Sequence, residues 1–424
     1  MEKKDTVLSA LTDERVFLAS LAVFVFNLPF SEALKEIFLV LSLLLLLLRL
    51  AVGSASVAGK IFLLGLPVLL FSAVSLLSAL NSIDRIQSLR GFWGDLETLM
   101  AWVVFSGAFF LASNRTKTLR LLLFSLVSGM VAGGLVGLFQ MIFRGAPVLG
   151  IMNLGDKNST AQFLSAVFLL LLSTFLFPFR AGLRLPFLLF SLSATSGLLV
   201  LTHSRSFLIS LPVASFAMLI LGRQWKALGI TASAMGIAGG VLAFFPGLRW
   251  EMTSVIHPTG DGSFESRYLT WQGALRMFHA HPLLGIGPDT FQMKNIHALY
   301  RLPDYASHGH NIFFNMLGEY GLLGVLSFLL ILVLWLARVL LDESASPSGR
   351  ILKPLTVAFI LNLLMAGVAH PMWGGSFSLL FMMIMALVLV EEDSLERTPL
   401  HPGIDPLLAG GFAGFWNRFR YKSR

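Results

Sequence analysis

The sequence predicts an all-α polytopic membrane protein, a transmembrane helical bundle of about 12 spans with one large, partly helical non-cytoplasmic loop. Three observations predict it. Hydrophobic residues make up 56% of the 424 positions and charged residues 13%, and the mean hydropathy is +0.79, an excess that a soluble core does not need. Apolar runs long enough to enter hydrocarbon recur along nearly the whole chain, which excludes a soluble enzyme with one anchor. Basic residues collect between those runs with a bias to one side.

Runs bounded by charges or turn residues give the spans in order: Val16 to Phe30, Ile37 to Val52, Ile61 to Leu80, Leu99 to Ala112, Leu121 to Phe143 and Ala161 to Phe179. Leu185 to Thr202, Phe207 to Leu221, Ala227 to Phe245, Leu322 to Leu341, Leu355 to Val368 and Ser376 to Val390 follow. Several are short or interrupted by proline, so the count carries a margin of one or two. With both termini cytoplasmic, the short outer loops hold only Lys35, Arg85, Arg90, Arg144, Lys157 and Arg205. The other short-loop cations, from Lys3 and Lys4 through Arg120, Arg184 and Lys353 to Arg418, Arg420, Lys422 and Arg424, fall inside, as the positive-inside rule requires. The chain therefore divides into N-terminal spans (1–245), a long external loop (246–309), C-terminal spans (310–392) and a cytoplasmic tail (393–424). Phe412, Phe415 and Trp416 beside Arg418 to Arg424 read equally as an interfacial segment and as a solvated tail. The polar start, Met1 to Arg15, lacks a cleavage site after its apolar run, so no removable signal peptide is expected.

The net charge of +8 sits in loops between spans, which favours a membrane surface over nucleic acid as the basic partner. Absence of cysteine excludes disulfides, thiolate nucleophiles and Cys-ligated metals. No internal repeat suggests an inverted-repeat transporter.

Chemistry is expected where ionisable groups meet the membrane boundary, because each costs roughly 2.5 to 3.5 kcal/mol to insert. Arg205 lies in Leu-Thr-His-Ser-Arg-Ser-Phe, between two apolar runs with almost no loop; it serves either as a snorkelling turn residue or as a cation holding an anion. In the long loop, Glu265 to Phe278 follows helical spacing and stops at Pro282 and a Gly-rich turn. Arg267 near its start would by itself be a surface residue. Where the loop re-enters, Ser-His-Gly-His-Asn brings His308, His310 and Asn311 close to Glu319, ahead of a wholly apolar run. His310, Phe314 and Leu317 would share one helical face with His310 at its outer end, and an imidazole near pKa 6.5 accepts a proton at neutral pH. The bland alternative for His310 is a helix cap.

The pattern His310-Asn-x-Phe, then Glu319-x-Gly-x-x-Gly, preceded by Arg267-x-x-x-Trp and His281-Pro-Leu-x-Gly-x-Gly, resembles the O-antigen ligase and polymerase superfamily of polytopic glycosyltransferases, and the ligases most. The motifs run from Arg205 to Gly324 and the topology covers the chain. The resemblance implies a glycan donor on undecaprenyl diphosphate, a lipid A-core acceptor, a location in the bacterial inner membrane and an active site on its periplasmic face. His310 matches the catalytic histidine, and Arg267 and Arg205 the essential arginines. Lys157 and Asn158, with Asn153 nearby, fall in an outer loop that similar proteins place near the site. His308, Asn311 and Glu319 are the further candidates for binding substrate.

On that reading the two guanidiniums hold the diphosphate leaving group bidentately and His310 takes the acceptor proton, with inversion at the anomeric carbon. No Asp-x-Asp motif is present; neither metal nor cofactor is expected. A polymerase or a protein O-oligosaccharyltransferase would use the same groups with another acceptor. A transporter or flippase of lipid-linked sugar would also bury ionisable groups, although there the charges should extend to mid-membrane, whereas these gather at one face.

Overall fold

The computed structural model describes residues 11–53, 55–176, 185–242, 263–304, 306–341, 349–371 and 373–395. Arg249 and the first part of the expected loop, the cations Lys3 and Lys4, and the tail with Phe412, Phe415 and Trp416 lie outside them.

The described residues are all-helical. They form α1 (Glu14–Asn27), α2 (Glu32–Gly53), α3 (Ala55–Leu80), α4 (Arg85–Leu111), α5 (Arg115–Arg144), α6 (Lys157–Leu176), α7 (Leu185–Leu201), α8 (Arg205–Leu221) and α9 (Trp225–Leu242). The loop helices α10 (Ser263–Ala280) and α11 (Lys294–Tyr300) come next, followed by α12 (Ile312–Leu341), α13 (Gly349–Gly367) and α14 (Gly375–Leu395). Over its described residues each of the expected spans falls on one helix, the last residues of the spans ending at Phe179 and Phe245 lying outside them, and the Glu265 to Phe278 pattern is α10. Local chemistry starts the helices: the side chains of Asp13, Asp84 and Asn114 accept from the backbone N–H of Arg15, Gln87 and Lys117, satisfying first-turn donors that have no partner within the helix.

By length and composition, five helices among the described residues can cross a membrane: Ser56–Leu80, Arg85–Leu111, Arg115–Arg144, Lys157–Leu176 and Ile312–Leu341. Four shorter apolar helices accompany them, Leu185–Leu201, Arg205–Leu221, Leu352–Gly367 and Gly375–Val390. The expectation of about 12 spans thus stands at five by this measure. The reason is geometric: the 14 residues of α1 reach only ~21 Å against a hydrocarbon core of ~30 Å. α2 has the length but carries Glu32, Lys35, Glu36 and Arg49.

α4 lies at the centre, packed on α3, α14 and α2, while α13 packs on α8, and α12 bridges α3, α10 and α13. One continuous apolar core joins most of the bundle, with Phe17, Trp102, Phe163, Phe328, Trp335 and Phe381 almost wholly buried. The Lys35 ammonium is buried within it and paired with Glu32 and, at 3.2 Å, Glu97, as a buried charge must be. A second, small core of Ala274, Met277, Ile286, Phe291, Ile296 and Leu302 holds the loop helices together.

That small domain is fastened to the bundle by two interlocking glycine turns. α12 is broken at Gly321 (φ 65°, ψ −163°), which frees backbone groups on both sides of the break. The turn after α10 takes them up: Ile286 and Gly287 donate N–H to the carbonyls of Gly318 (3.0 Å) and Glu319 (2.9 Å), and Leu322 and Leu323 donate to Pro282 (2.8 Å) and Leu283 (3.1 Å). A Cβ on Gly285 would stand 2.4 Å from the Glu319 carbonyl carbon, and one on Gly321 2.5 Å from that of Leu283. Only glycine permits this approach, and only glycine readily adopts the Gly321 backbone. Ser78 on α3 closes the joint, its hydroxyl 2.6 Å from the Leu284 carbonyl and 2.9 Å from that of Glu319.

Candidate active site

The interlock sets the start of α12 beside α10. Trp271 and Phe314 stack at 5.3 Å between ring centroids and 19° between planes. Arg267 lies one turn before Trp271 on α10, and its charge acts on His308, His310 and His370.

His310 is not on the face of α12. It precedes the helix by two residues, in a left-handed conformation (φ 48°), because Asn311 takes the capping position. The Asn311 Oδ1 accepts from the N–H groups of Phe313 (2.8 Å) and Phe314 (3.2 Å), and its Nδ2 donates to the Val368 carbonyl (3.2 Å). The sequence expected His310 to share a helical face with Phe314; capping by asparagine is what moved it off.

Three imidazoles meet here. The ring of His308 lies 4.2 Å from that of His310 at 71°, and 5.3 Å from that of His370 at 88°. His308 Nδ1 accepts the His310 backbone N–H at 3.2 Å. Below them, the loop before α6 contributes Asp156, whose Oδ1 accepts from Ser159 N–H at 2.7 Å; the Ser159 hydroxyl is 3.3 Å from His370 Nε2. Asn158 Oδ1 accepts from the Ser204 hydroxyl at 2.7 Å, which ties the same loop to the residue before Arg205. Arg205 opens α8, half-buried, and Lys157 opens α6, exposed. Asn153 is spent on structure, its Nδ2 donating to the Leu28 carbonyl at 2.9 Å.

The structure thus gathers His310, His308 and Arg267, and links the chain neighbours of Arg205 to those of Lys157 and Asn158. Asn311 and Glu319 are placed differently. Both polar ends of Asn311 bind backbone. Glu319 is 5% exposed, accepting from Phe291 N–H (3.2 Å) and Asn315 Nδ2 (2.9 Å), while Asn315 Oδ1 accepts the Gly309 N–H (2.8 Å). The carboxylate therefore reaches the histidine turn through one amide.

Sequence reasoning missed Asp156, Ser159 and His370. A signal existed for His370: Ala-His-Pro between the last two spans falls on the same side of the predicted topology as His310. Asp156 stood one residue from a named candidate.

Electrostatics hold the imidazoles neutral. Burial pushes His310 down to about 4, with His308 and Arg267 adding to the effect and Asp156 opposing it. His308 and His370 are likewise driven to about 4, first by burial, with Arg267 contributing to both. Burial raises Asp156, but the Ser159 N–H and His370 outweigh it and leave the carboxyl below its ordinary value. The arrangement is therefore a carboxylate and a guanidinium flanking neutral, proton-accepting rings.

Ligating atoms of Asp156, His308 and His370 all lie within 4.8 Å of one another, and those of Glu32, Glu36 and Glu97 do the same. Lys35 pairs with the second set. In the first set the Arg267 cation bears on both histidines.

Residues 188–329 match the Wzy_C family, described as O-Antigen ligase. The segment takes in Arg205, Arg267, His310 and both interlocking turns, and leaves Asp156, Asn158 and His370 outside. Over this stretch the chain is thus similar to the O-antigen ligase superfamily, as its motifs implied. No curated protein matches it.

Proposed function

We propose that the protein is a membrane glycosyltransferase, an O-antigen ligase that moves a glycan from undecaprenyl diphosphate to lipid A-core at the periplasmic face of the bacterial inner membrane, with both termini cytoplasmic. The observation that carries this reading is a neutral, half-buried His310 next to Arg267 in the segment that matches the O-antigen ligases.

The acceptor hydroxyl is a poor nucleophile until its proton is taken. His310 accepts that proton as the oxygen attacks the anomeric carbon. The bond from that carbon to the diphosphate oxygen breaks, and negative charge grows on the leaving group, where Arg267 and Arg205 hold it through paired N–H donors. Attack from the face opposite the leaving group inverts the anomeric centre. The reaction on this reading needs no metal ion, since guanidiniums supply the positive charge. Lys157 and Asn158 are proposed to contact sugar or phosphate, while His308 accepts the His310 backbone N–H and is not assigned to substrate.

The test is to incubate purified protein in detergent or nanodiscs with lipid-linked glycan, with or without lipid A-core. Glycosylated lipid A-core that is formed at the same rate in EDTA, and lost in His310→Ala with donor binding retained, supports the ligase. Lengthening of the donor glycan without acceptor would make it a polymerase. Movement of donor between leaflets without transfer would make it a flippase.

A further inference from the structure

His310 is one of five non-glycine residues among those described that adopt positive φ, a strained conformation that persists only where neighbours enforce it. Two side chains enforce it here. Asn315 Oδ1 accepts the Gly309 N–H at 2.8 Å, and His308 Nδ1 accepts the His310 N–H at 3.2 Å. Gly309 has no room to move toward α12, since a Cβ there would come 2.9 Å from Asn315 N.

A backbone N–H only donates, so His308 Nδ1 must carry a lone pair, and the His308 ring is the neutral tautomer with its proton on Nε2. Asp156 and His370 offer ligating atoms within 4.8 Å of those of His308, a gap that a bridging water spans. Of the two, Asp156 is the stronger partner: it is an acceptor-only carboxylate with one oxygen already fixed by Ser159 N–H at 2.7 Å.

We infer that His308 and Asp156 are positioning residues: Asp156 selects the Nε2–H tautomer of His308, and His308 through Nδ1 holds the His310 backbone in the left-handed turn that aims the proton-accepting imidazole. The inference rests on His310 being the base of the proposed transfer. It assigns the first histidine of His-Gly-His-Asn to a backbone contact, and gives the loop before α6 a part in the chemistry made on the far side of the site.

The test separates the acceptor atom from the rest of the ring. Asparagine at 308 puts its Oδ1 where the histidine has Nδ1, whereas leucine fills similar space with no acceptor. His308→Asn should keep kcat within a few-fold of the parent. His308→Leu should lower kcat by about a hundredfold with KM little changed, as expected when a reacting group is misaimed. Asp156→Asn should fall between them. Hydrogen exchange of peptides covering 308–312 gives a readout independent of transfer: the His310 amide should exchange faster in His308→Leu and at the parental rate in His308→Asn. Melting in detergent identifies a variant that has not folded, and His308→Asn with Asp156→Asn then carry the comparison. Equal exchange in the two His308 variants would overturn the inference. So would equal loss of kcat in both, because His308 would then be acting through Nε2. If the wild type transfers no glycan but exchange follows the pattern above, the backbone role of His308 stands and the glycosyltransferase reading is what fails.

Discussion

The two halves of α12 differ although one helix contains both. Before Gly321, the residues at helical spacing on one stripe are Asn311, Asn315 and Glu319, all engaged by hydrogen bonds to loops. After it, Leu322, Leu323, Leu326, Leu330, Val333, Leu340 and Leu341 stand 36% to 76% exposed in a run with no ionisable residue before Arg338. Such a surface suits a lipid surrounding. The first half is a bracket for the histidine turn and the second a membrane helix, and the break lets each face its own solvent. On the proposed function, transfer depends on the polar half being held from outside the bundle.

The largest effect should come from removing the break. Gly321→Ala puts a side chain into backbone space and a backbone reserved for glycine, costing about 3 kcal/mol or more; the melting temperature in detergent should fall steeply and transfer be lost. An unchanged melting temperature would mean that the two halves do not need the interlock.

The pH dependence sharpens the comparison next. His310 must be neutral to accept a proton, and burial, His308 and Arg267 hold it at about 4 against the opposing pull of Asp156. kcat/KM should therefore stay level as pH drops from 7 to 5 and fall about tenfold per unit only below about 4. A limb beginning near 6.5 would show an imidazole in ordinary surroundings.

Smaller still is Glu319→Gln. Both carboxylate oxygens accept hydrogen bonds, and the amide would set a donor against a donor, costing about 1 to 3 kcal/mol. Differential scanning measurements should show partial destabilisation, with transfer reduced because Asn315 loosens its hold on Gly309. The smallest effect belongs to the lipid-facing half: Leu326→Ala, at a residue 52% exposed, should change stability by no more than about 0.5 kcal/mol and leave transfer intact. A large loss there would mean that this face is covered by protein.

Much of this was legible in advance because lipid imposes simple rules. Apolar runs announce helices, and the Glu265 pattern with Pro282 announced α10, since those signals are local. His310 and Arg205 stood out as candidates because charged or titratable groups at a membrane boundary need a reason, whereas Arg267 entered only through the family resemblance. Glu319 was legible as unusual; its burial beneath the histidine turn was not. Asp156 and His370 were invisible as partners because they come from loops far apart in the chain, and side chains that meet only when α6 packs on α13 and α14 leave no periodic trace.

The sequence by itself determined an all-helical membrane protein, the helix carrying Arg267, and the residue types of the site, because each follows from hydropathy, capping or charge within a short window. Tertiary structure alone decided that two glycine turns interlock, that Asn311 rather than His310 caps α12, and that three imidazoles gather over one carboxylate. Those outcomes depend on backbone approaches of a few ångströms between distant segments, and a gap of that size is created by packing, not by any residue's own preference.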